Sequence, residues 1–487
     1  MPDVERKRDT RAATVWGLAL VVAALGDWIM FDAEPGINWI LWTLCAGAGL
    51  LAFVRSPLLM KSLVAWLVIF AIIIAGGAAV TAEPVLHALI CLSVIMLLAL
   101  AMLLSVDTRS DRLTAIFALV APAVAFGLAL SESLHRAIDA LHLVRSARAR
   151  ALLRGFALTA PVVLAFGLLL ASADPTFAGW RDGIQHLLES WSFIPRTIFF
   201  FGLLAITLGA FGHASRGTVE DTYGLAHPSP ALNGGHGKWL GSTEHLILMS
   251  GVSLLFWVFL AVQLSYLFGN LPSITGSGMT FAEYARRGFA ELTVVASCTA
   301  FLIIVAERYG QADHRRQLLR GVTLSAIVAV LFLLGSAFHR VSLYEEAYGF
   351  TTARLYAQAY MVVVAISLVA LAREVTEEIN PPRLFRRAGL TAILAFIGLI
   401  YWNHESWIAE RNIELFASTG KLDVVYLTRD LSADAIPTIV SRVPTLPEPT
   451  RSQLDAALVQ RNSRRHGARW FEWNLARTRA KDALSGL

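Results

Sequence analysis

Charge and cysteine are both scarce in this sequence. Only 16% of the 487 residues are Asp, Glu, Lys or Arg, whereas soluble domains carry roughly 25%. This shortage disfavours a water-soluble enzyme, and the abundance of apolar residues excludes a disordered chain. The three cysteines, Cys45, Cys91 and Cys298, are too few for a disulfide framework and show no CxxC spacing. We therefore predict no cysteine-based metal site.

Long apolar runs take the place of the missing charge. Hydrophobic residues make up 56% of the chain, and a membrane-spanning helix needs about 20 mostly apolar residues. Backbone groups inside a bilayer must pair within their own segment, so these contiguous runs must be helical. The predicted fold class is all-α, a polytopic transmembrane helix bundle. The twelve candidate runs are 12–30, 37–54, 63–80, 85–104, 113–130, 155–173, 194–211, 246–268, 291–305, 321–338, 355–372 and 388–402.

Lysine and arginine in the short loops indicate the orientation of the bundle. Arg6, Lys7, Arg8 and Arg11 precede the first run, which predicts a cytoplasmic N-terminal tail at residues 1–11. Basic loops then alternate with neutral ones until residues 131–154, which carry five arginines although a fifth crossing would place them outside. We expect a re-entrant or interfacial segment at 113–150 and eleven crossings. The alternative is twelve crossings with the N-terminus outside.

The apolar runs stop at Trp402. This boundary divides the chain into a transmembrane domain, residues 12–402, and a polar tail, residues 403–487, which we predict to be helical and extracytoplasmic. Residues 431–435 are predicted to begin a helix of the tail. Ser432 would be its N-cap, and Asp434 would lie in the first turn, where an acid favours the helix dipole.

Several short motifs follow one another in a specific order. They are ASADPTF at 171–177, FAEYARRGF at 281–289, Arg340 with YGFT at 348–351, RN at 411–412 and WNLAR at 473–477. In this order they resemble a bacterial family of polytopic membrane proteins known only as a domain of unknown function. The resemblance covers residues 110–480 and implies a multi-pass protein of the inner membrane, but no substrate. At 403–405 the chain has Asn-His-Glu, where the resemblance leads us to expect an Asn-Pro-Asp-like sequence.

A stripe of charge on the extracytoplasmic side is the main candidate site. Glu283, Arg287 and Glu291 are spaced four apart, so on a helix they share one face that runs into the membrane. Ionisable groups at membrane depth are costly and often mark solute or ion sites. The alternative is that these charges pair with one another and seat the tail. The predicted substrate-binding residues are Glu283, Arg287, Glu291, Arg340, Tyr344, Arg354 and Asp174.

A second group of charges indicates contact with lipid. Arg145, Arg148, Arg150 and Arg154 accompany an apolar stripe and suit the anionic head groups of the inner leaflet. The basic residues form no single surface typical of nucleic-acid binding, so the predicted partner is the bilayer. The alternative is that these arginines only pack at the periphery of the bundle.

No GxSxG, HExxH or paired-cysteine motif is present, which disfavours an enzyme and predicts no catalytic residue, metal or cofactor. The leading hypothesis is a transporter-like or channel-like protein for a polar solute. A second is a membrane scaffold or sensor whose tail, residues 403–487 with Trp407, Trp470 and Trp473, binds an envelope partner. A third is a membrane-embedded lipid-processing enzyme. The sequence predicts no particular oligomeric state.

Overall fold

The computed structural model describes residues 2–53, 63–106, 115–140, 193–223, 242–268, 289–309, 316–377, 380–462 and 469–486. Every regular element within these ranges is helical, which confirms the predicted all-α class. The helices of the bundle are α1 (Pro2–Met30), α2 (Ile37–Leu51), α3 (Leu63–Gly77), α4 (Pro84–Val106), α5 (Ala115–Ala140), α6 (Phe193–Tyr223), α7 (Ser242–Phe268), α8 (Phe289–Tyr309), α9 (Arg316–Tyr348), α10 (Thr352–Thr376) and α11 (Pro381–Tyr401).

Seven of the described helices are long and apolar enough to cross a membrane. Three shorter apolar helices, Ile37–Leu51, Leu63–Gly77 and Val295–Ala306, accompany them. The protein is therefore an integral, multi-pass membrane protein. The predicted run at 155–173 lies outside the described residues, and the count of eleven crossings stays a prediction. The seven are Ala12–Met30, Pro84–Val106, Pro195–Ser215, Thr243–Ala261, Arg316–Tyr348, Thr352–Thr376 and Pro382–Tyr401.

One end of the bundle carries the tail, and we call it the tail side. The loop before α2 meets the tail where Ile37 N donates to Trp473 O at 3.2 Å, and the α3–α4 loop meets it where Leu475 N donates to Ala79 O at 2.7 Å. The turn between α9 and α10 meets it at Asn412. The charge pattern predicts all these loops on one side of the membrane, and the structure brings them together.

Helix α5 covers most of the segment at 113–150 that we predict to be re-entrant or interfacial, so its direction in the bundle matters. Arg136, late in α5, donates to the carbonyl of Gly212 at 3.1 Å and to Ser215 Oγ at 3.0 Å, late in α6. Helix α6 begins at the tail side, where Arg196 pairs with Asp27, so both helices end on the opposite side. Helix α4 begins beside the tail and ends on that opposite side as well. Two consecutive helices therefore end on one side, while a re-entrant segment stays a prediction.

Small residues allow close packing where α3, α4 and α11 meet. The backbone of Gly77 lies so close to Ile400 that a Cβ there would come within 2.3 Å of the isoleucine Cγ2. Fully buried Ile74, Ile90 and Ile400 fill the contact. Between membrane helices such packing stabilises through van der Waals contact rather than removal of water. It fixes the end of α3, and with it the α3–α4 loop, relative to the last span.

The tail folds as a small helical layer with its own apolar core. Its α-helices are α12 (His404–Thr419), α13 (Ile436–Arg442), α14 (Thr450–Asn462) and α15 (Leu475–Leu484). Helix α12 begins at Asn403, whose side chain accepts from Ser406 N at 3.0 Å, and ends at Gly420 in the left-handed conformation. The predicted helix start at 431–435 is wrong. Helix α13 begins only at Ile436, without a side-chain cap, and Ser432 and Asp434 turn inward instead.

Candidate functional site

The predicted charged pocket is described only in part. Asp174, Glu283 and Arg287 lie outside the described residues, and Glu291 lies in the first turn of α8. Arg340 is buried within α9, about two turns before its tail-side end. The four arginines predicted to contact lipid, Arg145, Arg148, Arg150 and Arg154, also lie outside the described residues. Both groups stay predictions.

Two of the predicted residues are in direct contact. The guanidinium of Arg354 lies 4.2 Å from the centre of the Tyr344 ring and also donates to the carbonyl of Gly349. The neighbouring Glu345 is buried and accepts from Gln358 Nε2 at 2.8 Å. These bonds stabilise the turn between α9 and α10. In the described part of the chain, Tyr344 and Arg354 therefore act in this turn.

A different group of ionisable residues is buried between the bundle and the tail. Glu83 comes from the α3–α4 loop, Glu405 from the first turn of α12, and Asp434 from the segment before α13. We call these three residues the acid cluster. All three are buried, and within the described chain none of them forms an ion pair with lysine or arginine. Buried carboxylates without a cation are unusual, because burial penalises the charged form.

Hydrogen bonds hold Asp434 against the α3–α4 loop. Its Oδ2 accepts from Thr81 Oγ1 at 3.0 Å and from the backbone N–H of Ala82 at 2.6 Å. Its carbonyl accepts from Asn403 Nδ2 at 3.2 Å. Asp434 is thus one of the residues through which the tail binds this loop. Its carboxylate has the donors that a charged group needs when it leaves water.

Glu405 has far fewer donors than Asp434. Its Oε2 accepts from Ser432 N at 2.9 Å and contacts Ser432 Oγ, while its Oε1 is buried and accepts no hydrogen bond from any described residue. The Ser432 hydroxyl also lies 2.9 Å from Asp434 Oδ2. A hydroxyl carries one proton, so it donates to only one of these two carboxylates at a time.

A proton on Glu405 would resolve this shortage of donors. Placed on Oε2, it would be donated to Ser432 Oγ, and Ser432 would donate its own proton to Asp434. Serine Oγ also accepts from Asp434 N at 3.2 Å, so the hydroxyl would have one donated and two accepted bonds. The geometry therefore favours the protonated acid.

Burial shifts the pKa values of two neighbouring side chains of α12, Glu405 and His404, in opposite directions. Burial raises the pKa of Glu405 to about 7, and the charges of Asp434 and Glu83 add to this, while the bonds from Ser432 oppose it. Burial also lowers the pKa of His404. Both shifts favour the neutral form of the side chain. At neutral pH the site holds an uncharged imidazole beside a carboxyl group that is close to its midpoint.

A tyrosine links the imidazole to the third acid. Nδ1 of His404 lies 3.3 Å from the carbonyl of Trp402, which only accepts, so we assign the ring proton to Nδ1. Nε2 then accepts from the Tyr356 hydroxyl at 3.0 Å. The same hydroxyl also has Glu83 as a hydrogen-bond partner, and its single proton is donated to His404 or to Glu83 at any one time. The polar network thus extends from the tail to a residue of span α10.

Glu83 also has an ordinary structural role. Its Oε2 accepts from the backbone N–H of Leu86, three residues on, as an N-cap of α4 does. Pro84, at the first position of that helix, has no N–H that needs a partner. The carboxylate of Glu83 therefore caps the apolar span α4 and also belongs to the acid cluster.

Two asparagines of the resembled motifs fasten the tail to the bundle. Asn474 Nδ2 donates to two carbonyls of the α3–α4 loop, those of Ala78 at 2.9 Å and Thr81 at 2.6 Å. Asn412 exchanges two bonds with the backbone of Phe350, at 2.8 and 2.9 Å. The adjacent Gly349 has φ of 86°, and a Cβ there would lie 2.6 Å from Asn412 Oδ1. These motif positions serve the docking of the tail.

The described residues contain no group of three or more His, Cys, Asp or Glu side chains arranged to hold a metal ion. The acid cluster instead suits the binding of a proton. Sequence reasoning missed Glu83, Glu405, His404 and Tyr356, and placed Asp434 at a helix start. One signal was present, namely the departure from the Asn-Pro-Asp-like sequence at 403–405.

Comparison with known proteins identifies a family. Residues 64–441 match the model of a family described as "Domain of unknown function (DUF4153)". Because this match covers more than half of the chain, the protein belongs to that family, which confirms the resemblance drawn from the motifs. No curated protein and no solved structure matches the chain. The whole acid cluster lies within the matched residues, whereas Asn474 lies beyond them.

Proposed function

We propose that this member of a membrane-protein family of unknown function is a proton-linked, transporter-like protein that moves a polar solute across the bacterial inner membrane. The observation that carries the proposal is Glu405. Its side chain is 1% exposed, has no ion-pair partner among the described residues, and has a pKa raised to about 7. Glu405 follows the last span directly, and buried acids with a raised pKa are concentrated at functional sites.

The pKa of Glu405 suits coupling because both protonation states are populated near neutral pH. Any movement that admits water or brings a cation near Glu405 would favour the charged form, and any movement that closes the site would favour the proton. A solute that binds one of these states more tightly would shift the equilibrium and carry the proton with it. Tyr356, in span α10, offers a route by which movement of the bundle reaches the site.

In this proposal the solute binds at the charged stripe predicted from the sequence, with Glu283, Arg287, Glu291 and Asp174 beside the buried Arg340. Arg340 lies in the tail-side half of α9, so both sites would belong to the same end of the bundle. We place the N-terminus in the cytoplasm and the tail outside, following the loop charges. Arg145, Arg148, Arg150 and Arg154 would then contact anionic lipid of the inner leaflet.

Proteoliposomes test the proposal. The full-length protein is reconstituted with a pH-sensitive dye inside, and the probe added outside is a small-molecule filtrate of a bacterial cell extract. We expect the filtrate to change the internal pH with the natural protein and with Glu410→Gln, an exposed acid of the same helix. We expect no change with Glu405→Gln. Absence of a pH change with the natural protein, or an unaltered one with Glu405→Gln, would refute the proposal.

A lipid-processing enzyme is the second candidate, and the pKa of Glu405 favours it too, because a general base works best near its own pKa. The burial of Glu405 weighs against it, since a base must reach its substrate. Incubation with total bacterial lipid would distinguish the two. A product that forms with the natural protein but not with Glu405→Gln would support the enzyme.

The scaffold or sensor hypothesis has less support among the described residues. Trp407 packs edge-on against Phe350, with ring centres 5.2 Å apart. Trp470 lies 6.0 Å from Trp28 of the first span. The contacts of these two tail tryptophans within the chain need no envelope partner to explain them.

A further inference from the structure

A cleft on the tail side is separate from the acid cluster. It has a volume of about 1640 Å³ and opens between the turn that joins α1 to α2 and the last part of the tail. Met30 and Pro35 line it from the bundle, while Trp470, Arg477 and Lys481 line it from the tail. None of the residues that the proposed proton site uses lines this cleft.

The cleft lies where the membrane meets water. Met30, in its wall, is the last residue of the first span, Ala12–Met30. Trp28, 54% exposed, lies beside Trp470, 60% exposed. Tryptophan concentrates at the head-group level of bilayers, because its ring is apolar and its N–H is polar. The cleft therefore opens at the depth of the lipid head groups.

The lining carries both signs of charge in equal number. Two pairs are already formed within it, Arg469 with Glu472 at 2.7 Å and Arg477 with Glu34. Lys481 and Asp482 are exposed neighbours on α15, and neither forms an ion pair within the described chain. The charges in the lining are Arg461, Arg469, Arg477 and Lys481, against Asp32, Glu34, Glu472 and Asp482.

We propose that this cleft binds the head group of a zwitterionic phospholipid such as phosphatidylethanolamine. Lys481 would attract the phosphate, and Asp482 with the exposed face of Trp470 would attract the ammonium group. An anionic lipid would meet the acidic half of the lining without a cation to offer it. The acyl chains would leave the cleft beside Met30, into the bilayer. This proposal does not depend on the proposed transport function.

Lipid retention tests the proposal. The full-length protein is extracted from membranes, washed in detergent, and its retained phosphatidylethanolamine and phosphatidylglycerol are measured by mass spectrometry. We expect the first lipid to be enriched over its share in the membrane. Lys481→Ala should lower the retention of phosphatidylethanolamine about fivefold. A basic residue close to lipid head groups contributes roughly 1 kcal/mol to lipid binding, which corresponds to that factor. Lys421→Ala, which removes an exposed tail lysine outside the cleft, should leave retention unchanged.

Competition separates a lipid site from a simple anion site. Water-soluble glycerophosphoethanolamine should displace the retained lipid, whereas inorganic phosphate at equal concentration should not. Asp482→Asn provides a second variant, and it should lower retention of phosphatidylethanolamine while leaving phosphatidylglycerol unaffected. Preferential retention of phosphatidylglycerol, equal displacement by phosphate, or unchanged retention in both cleft variants would overturn the proposal.

Discussion

Two glutamates at opposite ends of the bundle are buried in contrasting ways. Glu374, near the end of α10, is fully buried, and Arg383 and Arg387 bind its Oε1 at 2.8 and 2.6 Å. Glu405, on the tail side, is equally buried but has only Ser432 as a donor. Arginine pairing keeps a buried carboxylate charged and fixes it in place. Without a cation, the same side chain is free to exchange a proton.

The largest expected effect comes from neutralising Glu374. In Glu374→Gln, Arg387 loses its counter-charge and Arg383 is left with the half-exposed Glu377, and breaking a buried ion pair in this way is strongly destabilising. We expect a loss of about 3 kcal/mol, at the lower end of the usual range because both arginines are partly exposed. SDS denaturation in mixed micelles measures the free energy of unfolding.

Glu377 supplies the matched control for this change. It pairs with Arg373 at 3.4 Å and Arg383 at 3.5 Å, but its side chain is 46% exposed. Exposed pairs contribute roughly 0–1 kcal/mol, so Glu377→Gln should cost little. Equal losses in the two variants would mean that the buried Glu374 contributes no more to stability than the exposed Glu377. The contrast drawn between Glu374 and Glu405 would then have no basis.

Much of the fold was predictable from the sequence, because the backbone of a contiguous apolar run in the hydrocarbon core of a bilayer must be helical. The apolar runs indicated the helices, and the alternation of basic loops placed the loop before α2, the α3–α4 loop and the turn after α9 on one side. The structure gathers these loops around the tail. The order of short motifs also identified the family, and Asn412 and Asn474 now have a structural role in docking the tail.

The acid cluster was not predictable in the same way. Its three carboxylates are 322 and 29 residues apart in sequence, from Glu83 to Glu405 and on to Asp434, and only the docking of the tail brings them together. Glu83 precedes an apolar run and looks like a helix cap, which it also is. Ser432 and Asp434 have the composition of a helix start, but their bonds to Glu405 and the α3–α4 loop outweigh that local preference.

Glu405 should give the protein a stability that depends on pH. Its pKa is about 7 in the folded state and near 4.5 ordinarily, so between these values the folded state binds more protons. The contribution of Glu405 to the free energy of unfolding is therefore fully present below pH 4.5 and is lost as the pH rises through about 7. The total loss is on the order of 3 kcal/mol. Glu405→Gln should remove this slope, as unfolding measured from pH 4.5 to 8 would show.

His404 makes stability depend on pH in the opposite direction. Comparing the natural protein with Glu405→Gln removes this contribution. Its pKa is lowered in the folded state, so the unfolded chain binds more protons below pH 6.5 and stability falls there on acidification. The natural protein and Glu405→Gln share this contribution, and their difference isolates Glu405. Glu410→Gln, an exposed acid of α12, should leave the slope intact. A slope that persists in Glu405→Gln would assign it to another group.

The smallest effect expected is also the most specific test of the shared proton. Ser432→Ala removes the hydroxyl between Glu405 and Asp434, and because its bond lowers the pKa of Glu405, that pKa should rise further. The cost should be about 1 kcal/mol at pH 8, where both acids need the donor, and smaller at pH 5, where Glu405 is protonated. Ser441→Ala, which removes an exposed hydroxyl bonded only to Thr438 O, controls for the lost oxygen. Equal costs at both pH values would mean that Ser432 contributes only packing. Glu405 would then differ from Glu374 in its hydrogen-bond partners, but the proposed exchange of a proton at Glu405 would lose its support.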